Sequence, residues 1–505
     1  MNNRNKLSLL NAITAMGMTL VNGLLGIVVT QFVIACYGSD FNGLNSTANQ
    51  IVNVLLILEG GFTVASNVAL FGPLTRQDTD VINGILSATQ KKFRKVGLLF
   101  LLIGLSVALG YSFAANSSLP WDFIFTLIVM TVIPAAFNLY YATTYRVLLQ
   151  TQQKEYIINI CTIVTVGLGH LANIVMIKMN GPMWMVRFNT MVFTLLNSLL
   201  IAGYVRRKNP ALDLSAPEMP ALIQGTGDVM AQKITGVIYK SAPIVFLSIS
   251  PTGGTILASV YAVYNNVFTM LKNLLHGVID APRHSLGQLL TEREKEDVWP
   301  IFSQYEYVAF LAIFVMLTTC CVLILPFIGL YTAGITDANY YDMVIALLMV
   351  VTSAIEMLHI PSGHLLNMAG LFRISRNFQL ISCIVLVIAM AIGGVFWGVY
   401  GMLVAVLLCA VLLATMEMGY VHTRFFQKKI PALLRLLLPL TFAGIAVCWL
   451  EFSLISNINS YLIFILYGIL FVCINGLIAC ILGLIFNRKE FLCLLDRAKR
   501  LIQKK

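Results

Sequence analysis

Fourteen long apolar runs follow one another along the chain, separated by polar, glycine or proline clusters. They lie near residues 9–36, 43–71, 96–115, 122–145, 156–177, 183–204, 226–249, 255–281, 306–330, 341–365, 378–396, 400–421, 436–453 and 461–486. A helix needs about 20 apolar residues to cross a bilayer, whereas the strands of a membrane barrel span about ten and alternate. These runs do not alternate. The sequence therefore predicts an all-α polytopic membrane protein with about 14 transmembrane helices.

Positive charge is distributed unevenly between the predicted loops. With a cytoplasmic N-terminus, 28 of the 33 lysines and arginines fall on the cytoplasmic side, one (Lys178) falls outside, and four lie within spans. Such a bias fixes the orientation of a membrane protein. We therefore predict a multi-pass protein with cytoplasmic N- and C-termini, a basic tail over 488–505, and Arg187 as an anchor near the outer surface. The net charge of +11 follows from topology, so we expect no nucleic-acid partner.

A weak internal repeat suggests how the spans are grouped. A shift of 216 residues aligns Gly38 with Gly254 and Asn49 with Asn265, each in the second span of a six-span set. Parallel repeats of this kind occur in transporters that bind their substrate between the halves. We predict two parallel six-helix halves around a central cavity. Their boundaries are 1–208 and 209–435, and 436–505 holds helices 13 and 14 with the basic tail.

Polar side chains recur at helical spacing in the eighth span. They are Asn265, Thr269, Lys272, His276 and Asp280. Residues three and four apart share one face of a helix, and a charge facing lipid costs about 2.5–3.5 kcal/mol on insertion scales. We therefore predict that this face lines the cavity and binds substrate, together with Lys233 and Lys240 of the seventh span.

The second span carries asparagines and one acid. Asn49 and Asn53 precede Glu59, and a pair of glycines that permits bending follows it. Two interpretations are open for Glu59. It lines the cavity beside the asparagines, or it pairs with a basic residue and locks helices together.

Coupling to a proton or sodium gradient requires titratable or oxygen-bearing groups inside the membrane. The candidates are Glu59, Asp280, Glu356 and His359. Glu356 and His359 lie one turn apart in the tenth span. Two interpretations are open: they form a proton relay, or they are a buried pair that satisfy each other's hydrogen bonds. Glu417 and Glu451, in late spans, receive no predicted role.

Enzymatic motifs are absent from the sequence. It contains no P-loop, HExxH or GxSxG motif and no metal-type spacing of cysteine and histidine. We predict no catalytic residue, no metal and no cofactor. A membrane glycosyltransferase or polymerase, the alternative from another class, would need acids and a sizeable outer loop, whereas the predicted outer loops are short.

Two segments resemble a known family. "YGSDFNGLNSTANQIVNVLLILEGGFTVASNVALFGPL" with "DVINGILSATQKKFRKV" resembles the N-terminal portion of Wzx-type bacterial polysaccharide flippases, and "HIPSGHLLNMAGLFRISRNFQLI" resembles the segment after their tenth span. The family belongs to the multidrug/oligosaccharidyl-lipid/polysaccharide exporter superfamily.

The resemblance implies transfer of an undecaprenyl-diphosphate-linked oligosaccharide across the bacterial cytoplasmic membrane by alternating access. Membrane lipids and the polysaccharide polymerase machinery would be partners. The diphosphate is anionic, so Lys272 and Lys240 are its predicted ligands.

The alternative within the superfamily is a cation-coupled multidrug exporter. Those proteins typically carry an acid in the first span, where this chain offers Asn11 and Asn22 but no acid. Lysines in the cavity would also repel cationic drugs.

Overall fold

A computed structural model describes residues 3–223, 227–280, 282–455, 458–486, 488 and 491. The described residues form helices, turns and loops and contain no strand, so the all-α prediction is confirmed. Among the described residues, ten helical segments are long and apolar enough to cross a membrane, as expected of a multi-pass membrane protein. The predicted basic tail lies almost entirely outside the described residues.

The helices fall into two compact units, residues 1–262 and 263–505, which we describe separately. The first contains α1 (Asn3–Leu55), α2 (Phe62–Arg76), α3 (Thr79–Ala114), α4 (Trp121–Phe137), α5 (Thr143–Thr151), α6 (Glu155–Lys178), α7 (Trp184–Lys208), α8 (Gly227–Ile249) and the start of α9 (Gly254–Ile279). The second contains the rest of α9, α10 (Arg283–Glu292), α11 (Lys295–Tyr331), α12 (Met343–Leu358), α13 (Ile360–Met368), α14 (Phe372–Tyr420), α15 (Ile430–Leu454) and α16 (Tyr461–Phe486). The predicted division at 208 and 435 remains a prediction.

Each predicted span lies on a helix or on a pair of consecutive helices. Two helices carry two spans apiece, and a glycine with positive φ kinks each of them between the spans. These are Gly38 in α1 (φ 85°) and Gly398 in α14 (φ 58°). A residue with a Cβ rarely adopts this backbone conformation, so the glycines allow the change of direction.

The second span is broken at its acid. A 3₁₀ turn over Leu56–Glu59 ends α1, and Gly60 and Gly61 follow with φ of 62° and 70° before α2 begins. The predicted bend beside Glu59 is therefore a full interruption of the helix. The asparagines before Glu59 therefore lie on α1, and the polar residues Thr63 and Asn67 after it lie on α2.

Residues 77–95 have the sequence pattern of an amphipathic helix on the inner membrane surface. They form the first half of α3, which begins where the Asp78 side chain accepts a hydrogen bond from the Val81 amide at 3.2 Å. The helix runs without a break into the third span. Its apolar residues Ile85, Leu86 and Phe93 are fully buried in the core of the first unit, so protein rather than lipid covers them.

Candidate functional site

A half-open cavity of about 270 Å³ lies in the first unit. Its walls come from α1, α4, α5 and α7, and the polar residues among them are Asn49, Thr131, Asn138, Arg146, Arg187, Thr190, Thr194 and Ser198. The described residues that line it include two arginines and no carboxylate. Its volume is just below the roughly 300–1,000 Å³ of sites for drug-sized ligands, so it suits a compact charged group rather than several sugar rings.

Arg187 is the most buried charge of this cavity. Its side chain projects from α7 and is 4% exposed. Nη1 donates to Asn49 Oδ1 at 3.0 Å, Nη2 donates to the Asn45 carbonyl, and Nε has no hydrogen-bond partner among the described residues. A buried ion without a counter-ion costs several kcal/mol, so the arrangement favours binding of an anion. The predicted role of Arg187 as a surface anchor is wrong.

Arg146 is the second arginine of the cavity. The count of loop charges placed it in the cytoplasm, but a π-helical turn over Asn138–Ala142 carries the fourth span on into α5. Arg146 lies half-buried on that extension and lines the cavity, and its Nε has no partner in the described part of the chain.

The asparagines of the second span separate into different environments. Asn49 lines the cavity and accepts the bond from Arg187, as described above. Asn53 is exposed and donates to Gln50 Oε1 at 3.2 Å. Of this pair, only Asn49 lies in the arginine cavity.

Glu59 is paired with Lys233 of α8. The Nζ–Oε2 distance is 3.6 Å, and the Lys233 side chain is 47% exposed. This contact supports the interpretation that Glu59 links helices. Lys240, two turns further along α8, is exposed and has no ion pair with any described residue.

The polar face of α9 in the second unit is accessible along its length. Asn265 is partly exposed and Thr269 exposed, while Lys272 donates to Glu356 Oε2 of α12 at 2.8 Å. His276 Nδ1 lies 3.2 Å from Asp280 Oδ1. Lys272 therefore has a counter-ion within its own unit, in contrast to Arg187.

His359 contacts a carboxylate of another helix. Its Nδ1 lies 2.8 Å from Oε2 of Glu417, which projects from α14 and is 1% exposed. His364, one turn further on, lies 3.0 Å from the Tyr305 hydroxyl and 3.4 Å from Asp280. Sequence reasoning missed Glu417 and His364. The segment 359–381, which carries His359 and His364, was the available signal for His364.

A junction near the kink of α1 joins α1 to the start of α9 within the first unit. The Asn42 amide donates to Ser259 Oγ at 2.7 Å, and Thr255 donates to the Asp40 carboxylate. Asp40 also accepts from the backbone amide of Ser118 at 2.7 Å. Here Gly43 lets the two backbones touch, because any Cβ at this position would overlap the Thr255 carbonyl.

The fold is that of a class of polytopic transporters. No family profile matches the sequence, and no curated protein is significantly similar to it.

Three solved structures illustrate the likeness. The lipid II flippase MurJ in an inward closed conformation has a TM-score of 0.69 and 12% identity, over 93% of this chain and 98% of that one. An inward-facing multidrug resistance MATE family transporter of the MOP superfamily has a TM-score of 0.64 and 13% identity, over 82% and 98%. The MATE multidrug transporter DinF-BH has a TM-score of 0.57 and 14% identity, over 85% and 98%.

At these identities the likeness establishes the fold. That fold is common to the flippase and the multidrug transporters named above.

Proposed function

We propose that this chain moves an undecaprenyl-diphosphate-linked oligosaccharide from the inner to the outer leaflet of the bacterial cytoplasmic membrane by alternating access. The oligosaccharide would be of the O-antigen, capsule, exopolysaccharide or teichoic-acid type. The arginine cavity of the first unit is the observation that carries the proposal.

The charge of the cavity favours an anionic substrate over a cationic drug. Arg187 and Arg146 both line it, each with an Nε that lacks a partner among the described residues, and no described carboxylate lines it. Arginine presents planar donors that match phosphate oxygens, and such charge-assisted bonds are about twice as strong as neutral ones. A cationic drug placed there would meet like charge at low dielectric, which is unfavourable.

Other residues have supporting roles in the proposal. Lys240 is exposed and free of ion pairs with described residues, so it remains a candidate for attracting the diphosphate. Lys272 is held by Glu356, and it would have to leave that partner to reach a phosphate. Asn49, Asn138 and the lining hydroxyls suit polar oxygens next to the phosphates. Polymerase machinery remains a proposed partner, as do the membrane lipids that would hold the polyprenyl tail.

The experiment is a leaflet assay in proteoliposomes. Fluorescent undecaprenyl-diphosphate oligosaccharide is included in the vesicles, and a membrane-impermeant quencher reports how much is in the outer leaflet. We compare wild type with Arg187→Gln, Arg187→Lys and the matched control Arg207→Gln, an exposed arginine of the same helix.

We expect protein-dependent transfer whose half-saturating substrate concentration rises about tenfold or more in Arg187→Gln, because a hydrogen bond to a charged group contributes about 1.5–3 kcal/mol. Arg187→Lys should be intermediate and Arg207→Gln unchanged. No transfer by wild type, together with gradient-driven movement of organic cations, would assign the chain to multidrug export. Formation of new glycosidic product would assign it to the glycosyltransferase class.

A further inference from the structure

The fourth span changes its helical register at the wall of the arginine cavity. The π-helical turn over Asn138–Ala142, which we call the π-turn, joins α4 to α5, and the Thr143 amide donates to the Asn138 carbonyl five residues earlier. An α-helical bond joins residues only four apart, so a turn closed over five holds one extra residue. The helix therefore continues after the π-turn in a register displaced by one residue.

This displacement decides which side chain of α5 faces the cavity. The lining residues of α4 and the π-turn recur at α-helical spacing and include Thr131, Pro134, Ala135 and Asn138. Two α-helical turns contain about seven residues, so an unbroken helix would bring Tyr145 to the face that carries Asn138. The residue that lines the cavity is Arg146, eight positions after Asn138. The π-turn therefore places a guanidinium where a regular helix would place a phenol ring.

Tyr145, displaced from that face, is held by an arginine of another helix. Its side chain is 1% exposed, and its hydroxyl accepts a hydrogen bond from Arg206 Nε of α7 at 2.7 Å. The guanidinium carbon of Arg206 lies 5.3 Å from the ring centroid of Tyr145 and 5.3 Å from that of Tyr141. Arg206 thus contacts one residue within the π-turn and the residue directly before Arg146.

The π-turn also packs closely against α3. A Cβ on Gly97 would lie 2.9 Å from the Tyr140 nitrogen and 3.1 Å from the Ala136 carbonyl oxygen. Within the span, Phe137 stacks on Tyr141 with ring centroids 5.3 Å apart. The turn is therefore packed against the backbone of α3 and held by a side chain of α7.

Contacts with the rest of the unit must maintain this register, because single π-turns inside α-helices are rare and are frequent at functional sites. A return to α-helical spacing would rotate α5 by about 100° and move its buried residues Val147, Leu148 and Leu149 out of the core. Core packing thus keeps α5 in place as a whole. Arg206 adds a hydrogen bond from a charged donor and two cation–π contacts directly beside Arg146, so its loss should loosen the position of Arg146 without unfolding α5.

We propose that Arg206 is a positioning residue, which holds Tyr141 and Tyr145 so that the π-turn presents Arg146 to the cavity. With Arg146 in place the cavity offers two cations, and with Tyr145 in that position it would offer only Arg187. Arg206 is not among the described residues that line the cavity, so it acts on a bound anion through Arg146. The inference rests on the proposed function for the class of ligand, an anionic diphosphate group, and assigns what determines the selectivity for it.

The test measures anion binding without transport. Purified protein in detergent is titrated with inorganic pyrophosphate in an isothermal titration calorimeter, because this probe carries the two phosphates of the proposed substrate without its lipid or sugars. The variant is Arg206→Gln. The matched control is Arg207→Gln, the exposed neighbour of Arg206 on the same helix.

Deletion of Tyr140 separates positioning from direct contact with the anion. Tyr140 is the most exposed residue of the π-turn, and its removal takes away the extra residue. Arg146 then stands seven positions after Asn138, where α-helical spacing alone brings it to the cavity face. In this background the orientation of Arg146 no longer depends on the π-turn or on Arg206, so deletion of Tyr140 is combined with Arg206→Gln.

We expect the dissociation constant for pyrophosphate to rise about tenfold in Arg206→Gln, as for the loss of one hydrogen bond to a charged group, and to stay unchanged in Arg207→Gln. Deletion of Tyr140 should restore the affinity of Arg206→Gln to that of wild type. In the Arg146→Gln background, Arg206→Gln should cause no further loss, because the residue that it positions is gone.

Unchanged affinity in Arg206→Gln would overturn the inference, and so would a wild-type protein that does not bind pyrophosphate. Full additivity of Arg146→Gln and Arg206→Gln, or a folded deletion variant whose affinity is not restored, would show that Arg206 acts independently of Arg146 and would also overturn it. If the deletion variant does not fold, the additivity measurement decides alone. Pyrophosphate binding that depends on Arg206 through Arg146, in a protein that moves no lipid-linked sugar, would leave this inference standing and refute the proposed function.

Discussion

Replacement of Gly43 by alanine tests the junction between α1 and α9 in the first unit. A Cβ at this position would lie 1.7 Å from the Thr255 carbonyl oxygen, 2.6 Å from its carbon and 3.0 Å from the Ser259 nitrogen. All three are backbone atoms, so no side chain can rotate away. Ordinary non-bonded contacts are about 3.5 Å, so the two backbones must separate by roughly 1.5 Å or more.

The energetic consequence follows from the bonds that span the junction. The buried Asn42–Ser259 bond, at 2.7 Å, would lengthen beyond hydrogen-bonding distance. Overpacking costs about 1–3 kcal/mol and leaving a buried polar group unsatisfied costs about 1–3 kcal/mol. Alanine in a helix recovers about 0.5–1 kcal/mol relative to glycine. We therefore expect Gly43→Ala to lower the free energy of unfolding by about 2–4 kcal/mol.

The same helix supplies the control. Gly26 has no atom within 4 Å of a built Cβ, so Gly26→Ala should be neutral or slightly stabilising. The assay is reversible unfolding of the purified protein in mixed detergent–SDS micelles, followed by far-ultraviolet circular dichroism. Asn42→Ala combined with Gly43→Ala should destabilise the protein by less than the sum of the single changes, because each change removes the same Asn42–Ser259 hydrogen bond. Equal stability of Gly43→Ala and Gly26→Ala would refute the close approach of the two helices.

Two further predictions concern the second unit. Gly363→Ala should lower the thermal stability by displacing the Glu417 carboxylate from His359, whereas Gly419→Ala, with open space around its Cβ, should leave the stability unchanged; equal stabilities would contradict the geometry of the pair. Lys272→Gln should lower the thermal stability more than Lys272→Gln with Glu356→Gln, because the single change leaves Glu356 without its cation and the double change removes both charges. A double variant less stable than the single one would show that Glu356 has another essential partner.

The fold was largely predictable because each span is marked by an apolar run in its own local sequence. The fourteen apolar runs predicted the helices, and glycines at 38, 60, 61 and 398 were the available signals for the kinks. The extension of the fourth span into α5 was not predictable from hydropathy, because its polar residues look like a loop. Burial by neighbouring helices keeps α5 helical, and sequence patterns do not record that packing.

The candidate site was less predictable, because its contacts join residues distant in sequence. The stripe on α9 drew attention to Lys272, but the counter-ion of Lys272 lies 84 positions away. Spacing placed Glu356 and His359 on neighbouring turns, whereas the partner of His359 lies 58 positions away on α14. Helical periodicity reports which residues share a face and not which helix that face meets.

The two units differ in how their interior charges are paired, and this difference bears on substrate binding. Arg187 in the first unit has polar contacts but no described counter-ion, so an arriving phosphate adds attraction without breaking an ion pair. Lys272 in the second unit would first have to give up Glu356, which offsets much of what a phosphate contributes. Substrate affinity should therefore depend more on Arg187 than on Lys272. If Lys272→Gln raised the half-saturating substrate concentration more than Arg187→Gln did, Lys272 would be the preferred ligand of the diphosphate, as its helical spacing predicts.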